Sequence, residues 1–461
     1  MYSLRRLFRY LGPYWKPLII TGILLVLQTG LSLLPPLFQR QIIDEVIATA
    51  DLQRLGFLVA AMIGVFALLA LVEFGDQYLR HVVGERFLLD LRVRIYDYLQ
   101  RLSLSFFERT STGELMSRVT NDVNELERFI THGVTLIAVD ALRLIGVSVI
   151  LMVLDWRLAL VALLPVPFIA FGLRRFNRRV RPIYRLVRDR LGNINTRLQD
   201  DLSGMRVIQA FGQEKAELER FRVVSQRYYR ERVRAIRAWS TFFPSIYFVS
   251  SVGGVLVLGM GAVMVVNGQL TLGTLVAFLA YILSLYEPLR RLTDVDNIFQ
   301  QADAAAERIF ELLDEMPDIQ DAPDAVPLDR LVGQVAFDDV HFRYGDDDEV
   351  LHDIAFQIAP GQAVALVGPS GAGKTSIAIL LCRFYDPTHG RVLVDGHDLR
   401  QVQLRSLRGQ VATVLQDTFL FNVSVRENLL YGKPDACQEE VFAAARAAYA
   451  HEFIEQLPQG Y

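Results

Sequence analysis

Hydrophobic residues along this chain are gathered into six long blocks separated by polar stretches. The blocks span residues 18–38, 55–79, 133–154, 157–173, 244–266 and 270–289. Each is close to the ~20 residues that an α-helix needs to cross the hydrocarbon core of a bilayer. Buried helices of soluble proteins are usually shorter and amphipathic, and the prolines and glycines inside these blocks are better tolerated in membrane helices. The pattern therefore predicts six membrane spans.

Residues 1–15 have a different, amphipathic pattern. A helix here places Leu4, Leu7, Phe8 and Leu11 on one face, which is typical of a helix that lies at the membrane interface. A signal peptide is the alternative, because a basic start precedes an apolar run. The block at 18–38 is too long for the core of a signal peptide, so a retained span is favoured.

Basic residues set the orientation of the predicted spans. Residues 80–128 and 174–237 are rich in arginine, whereas residues 265–271 carry no basic residue. Basic loops stay in the cytoplasm, and an even number of spans puts the N-terminus and the residues after 289 on that same side. Apolar residues at helical spacing between 87 and 102 predict helices that continue beyond the bilayer. We therefore expect a multi-pass protein of the cell membrane with a cytoplasmic N-terminus and C-terminal domain.

The pattern changes after the last block. It becomes amphipathic up to residue 316, then passes three prolines among acidic residues, and alternates in short apolar and polar runs from residue 333. Such alternation predicts a small antiparallel sheet. The expected domains are a helical membrane domain at 1–316, a linker at 317–332 and a second domain at 333–461.

Residues 368–375 read G-P-S-G-A-G-K-T and match the phosphate-loop pattern G-x-x-x-x-G-K-[ST]. An apolar strand candidate at 363–367 precedes the loop, and Ile377, Leu380, Leu381 and Phe384 follow it on one face of a helix. In this context the backbone N–H groups and the helix N-terminus bind phosphate. Lys374 is then expected to reach the β and γ phosphates of ATP, and Thr375 to ligate Mg²⁺. The alternative, an incidental glycine-rich turn, is disfavoured by the flanking strand and helix.

The composition adds little to this picture. The chain is 52% hydrophobic and 21% charged with a formal net charge of −3, so no overall field points to nucleic acid as a partner. Cys382 and Cys437 lack the spacing of a zinc site and are expected to be ordinary thiols. Inside the third block, Asp140 and Arg143 are spaced to pair on one helix. Structural pairing and contact with a substrate are both open for them.

Six spans, long cytoplasmic helical hairpins and a C-terminal phosphate-loop domain on one chain resemble a half-transporter of the exporter branch of the ATP-binding cassette (ABC) family. Residues 106–122 and 202–214 are similar to the two intracellular loops of that family, and residues 304–314 to the segment that joins the last span to the cassette. The resemblance implies an α-helical six-span transmembrane domain followed by an α/β phosphate-loop ATPase domain. It also implies that the two loops end in coupling helices that contact the nucleotide domains.

The same resemblance implies roles for individual residues. Tyr344, in F-R-Y-G, matches the aromatic residue that stacks on adenine, although alone it would be a strand-end tyrosine. Gln416, in V-L-Q-D, matches the glutamine that senses Mg²⁺ and the γ-phosphate, so that Lys374 and Gln416 are the expected catalytic residues and Thr375 and Gln416 the metal ligands. The remaining nucleotide-binding residues are expected to be the loop itself: Gly368, Pro369, Ser370, Gly371, Ala372, Gly373, Lys374, Thr375 and Ser376.

The sequence departs from the family pattern near its end. Residues up to Tyr461 include no L-S-G-G-Q signature, no apolar strand ending in Asp-Glu and no switch histidine. The run V-L-V-D at 392–395 fits a hairpin turn at Asp395-Gly396 better than a metal-binding strand. The expectation is an incomplete nucleotide domain, truncated before the signature, that is not competent for hydrolysis alone.

The function expected from the resemblance is ATP-driven export or flipping of a substrate by a dimer of half-transporters. The partner half, identical or different, and the class of substrate are open. The alternative is an ATP-binding regulator or channel-like protein whose site does not hydrolyse ATP. A soluble phosphate-loop kinase or GTPase fused to a membrane anchor is disfavoured by the six spans and the two loops.

Overall fold

A computed structural model describes residues 6–461 apart from positions 8, 346, 347, 415 and 417, and it leaves the side chains of residues 134 and 289–296 undescribed. The chain divides into two compact units, Met1–Leu102 with Phe106–Met316, and Ser103–Ser105 with Pro317–Tyr461. Of the predicted interfacial helix, Leu4 and Phe8 lie outside the described residues. Leu7 and Leu11 are buried in the core of the first unit.

The first unit consists of helices. Its main helices are α1 (Trp15–Ser32), α2 (Pro35–Gln41), α3 (Leu52–Leu99), α4 (Leu104–Arg109), α5 (Thr112–Ser117), α6 (Val123–Arg128), α7 (Val134–Leu154), α8 (Trp156–Leu163), α9 (Pro165–Ser203), α10 (Met205–Ala210), α11 (Glu214–Val266) and α12 (Leu272–Asp314), with π-helical turns at Ile42–Val46, Arg118–Asp122 and Phe129–Gly133.

Side-chain caps define several of these helix starts. Asp51 accepts hydrogen bonds from the N–H groups of Gln53 and Arg54 at the start of α3. Asp155 caps α8 in the same way, and Thr271 caps α12. Because these caps satisfy N–H groups that a helix end leaves free, the chain can reverse in one or a few residues between apolar helices.

Five of the described helical stretches are long and apolar enough to cross a membrane: Gly12–Thr49, Leu52–Leu99, Thr112–Leu154, Trp156–Ser203 and Glu214–Val266. The sixth predicted block corresponds to the shorter apolar stretch Leu272–Pro288 inside α12. Large apolar side chains on these helices are exposed, including Leu71, Val153 and Val255, as expected for surfaces that face lipid. Five spans are therefore supported, and the sixth stays a prediction.

The two longest helices exceed the length that a bilayer crossing requires. Helix α3 has 48 residues and α11 has 53, which at 1.5 Å per residue correspond to about 70 and 80 Å. These lengths agree with the predicted hairpins beyond the bilayer. The short helices α5 and α10 lie in the two segments that resemble the intracellular loops.

Arg143 has a partner that its spacing did not predict. Its Nη1 lies 3.6 Å from Oε2 of Glu287 on α12, so a carboxylate on another helix meets the guanidinium. Asp140 is 9% exposed. The prediction from helix spacing named Asp140 as the partner of Arg143. It did not include Glu287, which lies on another helix.

The second unit contains an antiparallel sheet in the order β2-β1-β3-β4, with β1 (Val335–Arg343), β2 (Glu349–Ile358), β3 (His389–Val394) and β4 (His397–Asp398). Apolar side chains from the strands form its core, including Phe337, Phe342 and Leu351. The predicted small antiparallel sheet is thus confirmed. The helices are α13 (Lys374–Leu381), α14 (Leu404–Arg408), α15 (Val425–Leu430), α16 (Gln438–Ala447) and α17 (His451–Glu455).

The hairpin turn at Asp395-Gly396 is also confirmed. Asp395 and Gly396 have φ values of 47° and 79° between the paired strands β3 and β4, as a type I′ turn requires. The Asp395 carboxylate accepts hydrogen bonds from the N–H groups of Val332, Gly333 and Gln334. This carboxylate therefore fixes the start of β1 and is not arranged as a metal ligand.

Residues 317–332, the predicted linker, are part of the second compact unit. The N–H of Val326 donates to the carbonyl of Gln401 at 3.0 Å, and the N–H of Leu328 donates to the Ser406 hydroxyl at 3.0 Å. These hydrogen bonds hold the segment against later residues of the same unit.

Two local predictions around the phosphate loop are wrong: the strand before it and the length of the helix after it. No strand is assigned to residues 363–367 in the described part of the chain, and Val367 is 93% exposed. A strand needs a ladder partner, and the described strands pair only among themselves. Helix α13 ends at Leu381, before Phe384, because Arg383 takes a left-handed conformation with φ 49° and the N–H of Phe384 bonds to the carbonyl of Ile379.

Candidate nucleotide-binding site

The phosphate loop wraps tightly at two glycines. Gly371 and Gly373 have φ values of 85° and 78°, which are left-handed values that favour glycine. A Cβ on Gly373 would lie 2.4 Å from Cδ2 of Leu351 and 3.4 Å from the carbonyl of Val350, both on β2. The loop therefore needs glycine at 373 both for its backbone conformation and for its contact with the sheet.

Helix α13 begins directly after this loop. Gly373 occupies its N-cap position and offers no side-chain cap, so the first N–H groups of the helix stay available. Free N–H groups at a helix N-terminus carry partial positive charge and bind anions. Together with the left-handed glycines they form a backbone cradle for phosphate.

Lys374 is folded back over the loop. Its Nζ donates hydrogen bonds to the carbonyl of Gly368 at 2.9 Å and to the carbonyl of Pro369 at 2.6 Å. The ammonium group is thus held on the same side as the cradle by two neutral acceptors. A phosphate oxygen is a stronger acceptor for an ammonium group than a neutral carbonyl because it carries negative charge itself, so it can replace either contact.

Ser376 and Tyr344 are brought together. Ser376 is 4% exposed, and its Oγ lies 3.0 Å from the Tyr344 hydroxyl. The Tyr344 ring meets Phe342 and Tyr385 edge to face, with centroid distances of 4.7 and 5.3 Å. Tyr344, the residue directly after β1, therefore lies beside the first turn of α13, although 32 residues separate the two hydroxyls in sequence.

Thr375 is part of the phosphate loop, whereas Gln416 is not in contact with it among the described residues. Thr375 follows Lys374 in the first turn of α13 and is exposed. Gln416 lies in a bend and is exposed, and Thr413, three positions earlier, contacts Cys382 just after the other end of α13. Among the contacts of the described residues none joins Gln416 to the loop. The structure thus brings together Tyr344 and residues 368–376 but not Gln416.

The second unit contains a cluster of one histidine and three carboxylates that the sequence did not predict. His341 Nε2 lies 3.1 Å from Asp353 and 3.6 Å from Asp339, and His341 Nδ1 lies 2.7 Å from Glu349. Desolvation lowers the pKa of His341, but the hydrogen bond with Glu349 and the charges of Asp353 and Asp339 outweigh it and raise that pKa overall. Because the raised pKa favours the protonated imidazole, the cluster is explained as an ion-pair network.

The sequence could not show this cluster because irregular pairing brings its members together. The registers of β1 with β2 and with β3 shift at this place, and Asp339 and Asp353 both have positive φ values, of 50° and 47°. A strict two-residue strand period places side chains by alternation, and a bulge breaks that rule.

Comparison with protein families agrees with the two units. A family model described as the ABC transporter transmembrane region matches residues 18–289. A second model, described as ABC transporter, matches residues 351–461. The second match reaches the last residue of the chain, and the expectation of a truncated nucleotide domain stays a prediction.

Individual proteins are similar along almost the whole chain. The Bacillus subtilis (strain 168) putative multidrug export ATP-binding/permease protein YgaD is 36% identical over 99% of this chain and 80% of its own length. The ATP-dependent lipid A-core flippase of Syntrophus aciditrophicus (strain SB) is 34% identical over 99% of this chain and 76% of its own length. A solved structure of a bacterial Atm1-family ABC exporter with ATP bound matches with a TM-score of 0.76 and 28% identity, covering 97% of this chain and 79% of that one.

Proposed function

The chain belongs to the ABC transporter family as an exporter half-transporter with an ATPase domain, and on that premise we propose that residues 368–376 bind the triphosphate of ATP. The observation that carries this proposal is the backbone cradle: two left-handed glycines, at 371 and 373, lead into the uncapped N-terminus of α13. Such a cradle binds anions through N–H groups and therefore does not depend on side-chain charge.

Side chains around the cradle have separate proposed roles. Lys374 exchanges its two carbonyl contacts for oxygens of the β and γ phosphates, and the Tyr344 ring carries the adenine. Thr375 offers a hydroxyl oxygen, the hard ligand type that Mg²⁺ prefers, and the side-chain carbonyl oxygen of Gln416 would be the second protein ligand of the same ion. Bound Mg²⁺ neutralises charge between the β and γ phosphates.

The chain is an ATP-driven exporter of the membrane, and half-transporters of this family work as dimers. ATP binding and hydrolysis bias a two-state transition between inward-open and outward-open forms. The proposed orientation puts the N-terminus and the ATPase domain in the cytoplasm, supported by the arginine-rich stretches at 80–128 and 174–237. The short helices α5 and α10 are the candidates for passing motion to the spans.

The proposed substrate class is an amphiphilic anion. A cavity of about 630 Å³ lies between α9 and α11, within the size range of small-molecule sites. Its lining combines aromatic rings with several guanidinium groups: Phe168, Phe176, Phe242, Arg175, Arg179, Arg234 and Arg237. Phe176 and Phe242 are stacked with centroids 4.0 Å apart. Apolar rings suit a hydrophobic body and arginines suit a carboxylate or phosphate.

Transport by membrane vesicles tests orientation and export together. Inside-out vesicles that contain the protein are expected to accumulate a fluorescent anionic amphiphile when Mg²⁺ and ATP are added outside, because the ATPase domain then faces the added nucleotide. Right-side-out vesicles are the control and should not respond. Uptake confined to right-side-out vesicles would contradict the orientation, and ATP binding without uptake in either type would favour the regulator alternative.

The adenine contact is tested by two substitutions of Tyr344. Tyr344→Ala removes the ring and is expected to weaken ATP binding about tenfold or more, since base stacking contributes ~1–3 kcal/mol. Tyr344→Phe keeps the ring and loses only the hydrogen bond to Ser376, so its ATP affinity should stay near that of the unmodified protein. Isothermal titration with ATP measures both, with Tyr449→Ala at a 93% exposed tyrosine as control. Equal losses in the Phe and Ala variants would exclude ring stacking.

A further inference from the structure

Three metal-ligating side chains meet at the surface of the antiparallel sheet, on the inner strand β1 and its neighbour β2. Nε2 of His341 and one carboxylate oxygen each of Asp339 and Asp353 all lie within 4.8 Å of one another. His341 Nε2 is 3.1 Å from Asp353 Oδ1 and 3.6 Å from Asp339 Oδ1. One imidazole nitrogen and two carboxylate oxygens therefore converge on one place.

The spacing of these atoms fits a small divalent cation. Zn²⁺ binds imidazole nitrogen at ~2.0–2.1 Å and carboxylate oxygen at ~2.0–2.2 Å, usually as a tetrahedron. Two ligands of such a tetrahedron lie about 3.3 Å apart, close to both distances from His341 Nε2. Asp339 and Asp353 are exposed, so water can fill the fourth position. An imidazole ligand suits Zn²⁺ and disfavours Mg²⁺ and Ca²⁺, which take oxygen ligands.

Neighbouring side chains orient these ligands. His341 Nδ1 lies 2.7 Å from Oε1 of Glu349, the first residue of β2. A neutral imidazole that donates Nδ1–H to this carboxylate presents the lone pair of Nε2 to Asp339 and Asp353. Carboxylates fix the tautomer of metal-bound histidines in this way. His389, the register partner of His341 on β3, lies 3.4 Å from the other oxygen of Asp339.

A cation satisfies this cluster better than a proton does. A single Nε2–H can be aligned with only one of the two aspartates, whereas a tetrahedral ion binds both. Three carboxylates around an imidazolium leave two negative charges in excess, and Zn²⁺ with a neutral imidazole leaves one. The protonated ion-pair network is thus the metal-free form, and the metal takes the place of the Nε2 proton.

We propose that His341, Asp339 and Asp353 bind a Zn²⁺ ion, with Glu349 as the orienting partner of the imidazole and water as the fourth ligand. The ion links β1 to β2 where their register shifts, so it replaces ladder contacts that the irregular pairing loses. The inference goes beyond the proposed function, because it uses neither the phosphate loop nor the Mg²⁺ ligands proposed there.

Two aspartates of the sheet provide a matched pair of variants. Asp353→Asn removes a ligand charge, and asparagine tolerates the left-handed φ of 47° at this position. Asp338→Asn removes the same charge from the residue next to Asp339. The Asp338 carboxylate pairs with Arg391 at 2.8 Å and is outside the ligand group. The two variants therefore separate coordination from the general attraction of an acidic surface.

Two histidines of the same sheet provide a second pair. His341→Gln removes the nitrogen ligand. His397→Gln makes the same change on β4, at an exposed residue outside the ligand group. Thermal unfolding of all four variants without zinc checks that each of them folds.

The experiment is a titration with Zn²⁺ of the full chain in lipid nanodiscs, without a histidine tag or nucleotide and with excess Mg²⁺, read out by a competing fluorescent zinc chelator. The expected result is one bound Zn²⁺ per chain and a higher unfolding temperature with zinc. Asp353→Asn and His341→Gln should each weaken binding ~tenfold or more, at least as much as loss of an outer partner does. Asp338→Asn and His397→Gln should bind zinc like the unmodified protein. So should Lys374→Ala, which makes the outcome independent of the ATPase proposal.

Three results would overturn the inference. No zinc binding by the unmodified protein would mean that the cluster is an ion-pair network only. Equal losses in Asp338→Asn and Asp353→Asn would mean that surface charge attracts the ion without coordination. Undiminished binding in His341→Gln would place the ion elsewhere on the chain.

Discussion

Lys374→Ala is expected to lower the vanadate-sensitive, Mg²⁺-dependent ATPase rate of the protein by about a hundredfold or more, the usual effect of removing a group that stabilises transition-state charge. Among the described residues, the hydrogen bonds of Lys374 Nζ go to two neutral carbonyls of its own loop, those of Gly368 and Pro369. Removing the Lys374 side chain is therefore expected to change the stability of the nucleotide-free loop little. It is expected to slow phosphoryl transfer, because the ammonium group no longer stabilises the charge that develops on the transferred phosphoryl group.

The measurement is phosphate release at saturating ATP, with thermal unfolding recorded in parallel. Lys433→Ala is the matched control, because Lys433 is a solvent-exposed lysine of the same unit whose Nζ lies 2.6 Å from Glu440. It should keep both the ATPase rate and the unfolding temperature. A Lys374→Ala variant that hydrolyses ATP at the unmodified rate would show that this loop does not carry the activity.

Local patterns predicted much of the fold because each of them depends on neighbouring residues. Apolar blocks became helices with exposed apolar faces, and the Asp395-Gly396 turn followed from two residues with left-handed conformations. The phosphate loop is likewise a local motif, so its glycines and Lys374 could be identified from eight consecutive positions. A property fixed within one turn or one helix is readable from the chain.

The features that were missed depend on residues far apart in sequence. A strand at 363–367 requires a ladder partner, and its apolar run says nothing of whether one is present. Arg143 meets Glu287 from a different helix. The Tyr344 to Ser376 contact arises from packing between elements that are far apart in sequence. Spacing along one helix or strand cannot predict such contacts.

Gly373→Ala is expected to combine loss of stability with loss of ATP binding. A left-handed alanine costs ~1–2 kcal/mol, and overpacking a core contact costs a further ~1–3 kcal/mol. The new Cβ would lie 2.4 Å from Cδ2 of Leu351, which is 2% exposed and has little room to move. The free energy of unfolding of the second unit should therefore fall by about 2–5 kcal/mol, and ATP affinity should fall because the cradle is displaced from β2.

Three further variants separate backbone strain from steric clash. Gly396→Ala, at φ 79° with open space around its Cβ, should show the backbone strain alone and keep ATP binding. Leu351→Ala alone costs ~2–5 kcal/mol as a cavity in the core. Combined with Gly373→Ala it should cost less than the sum of the two, because it removes the atom that the new Cβ meets. Urea unfolding of the unmodified protein, Gly373→Ala, Leu351→Ala and the double variant measures this coupling. Strict additivity would mean that the loop does not need glycine for its approach to β2, and the effect of Gly373→Ala would then reduce to backbone strain.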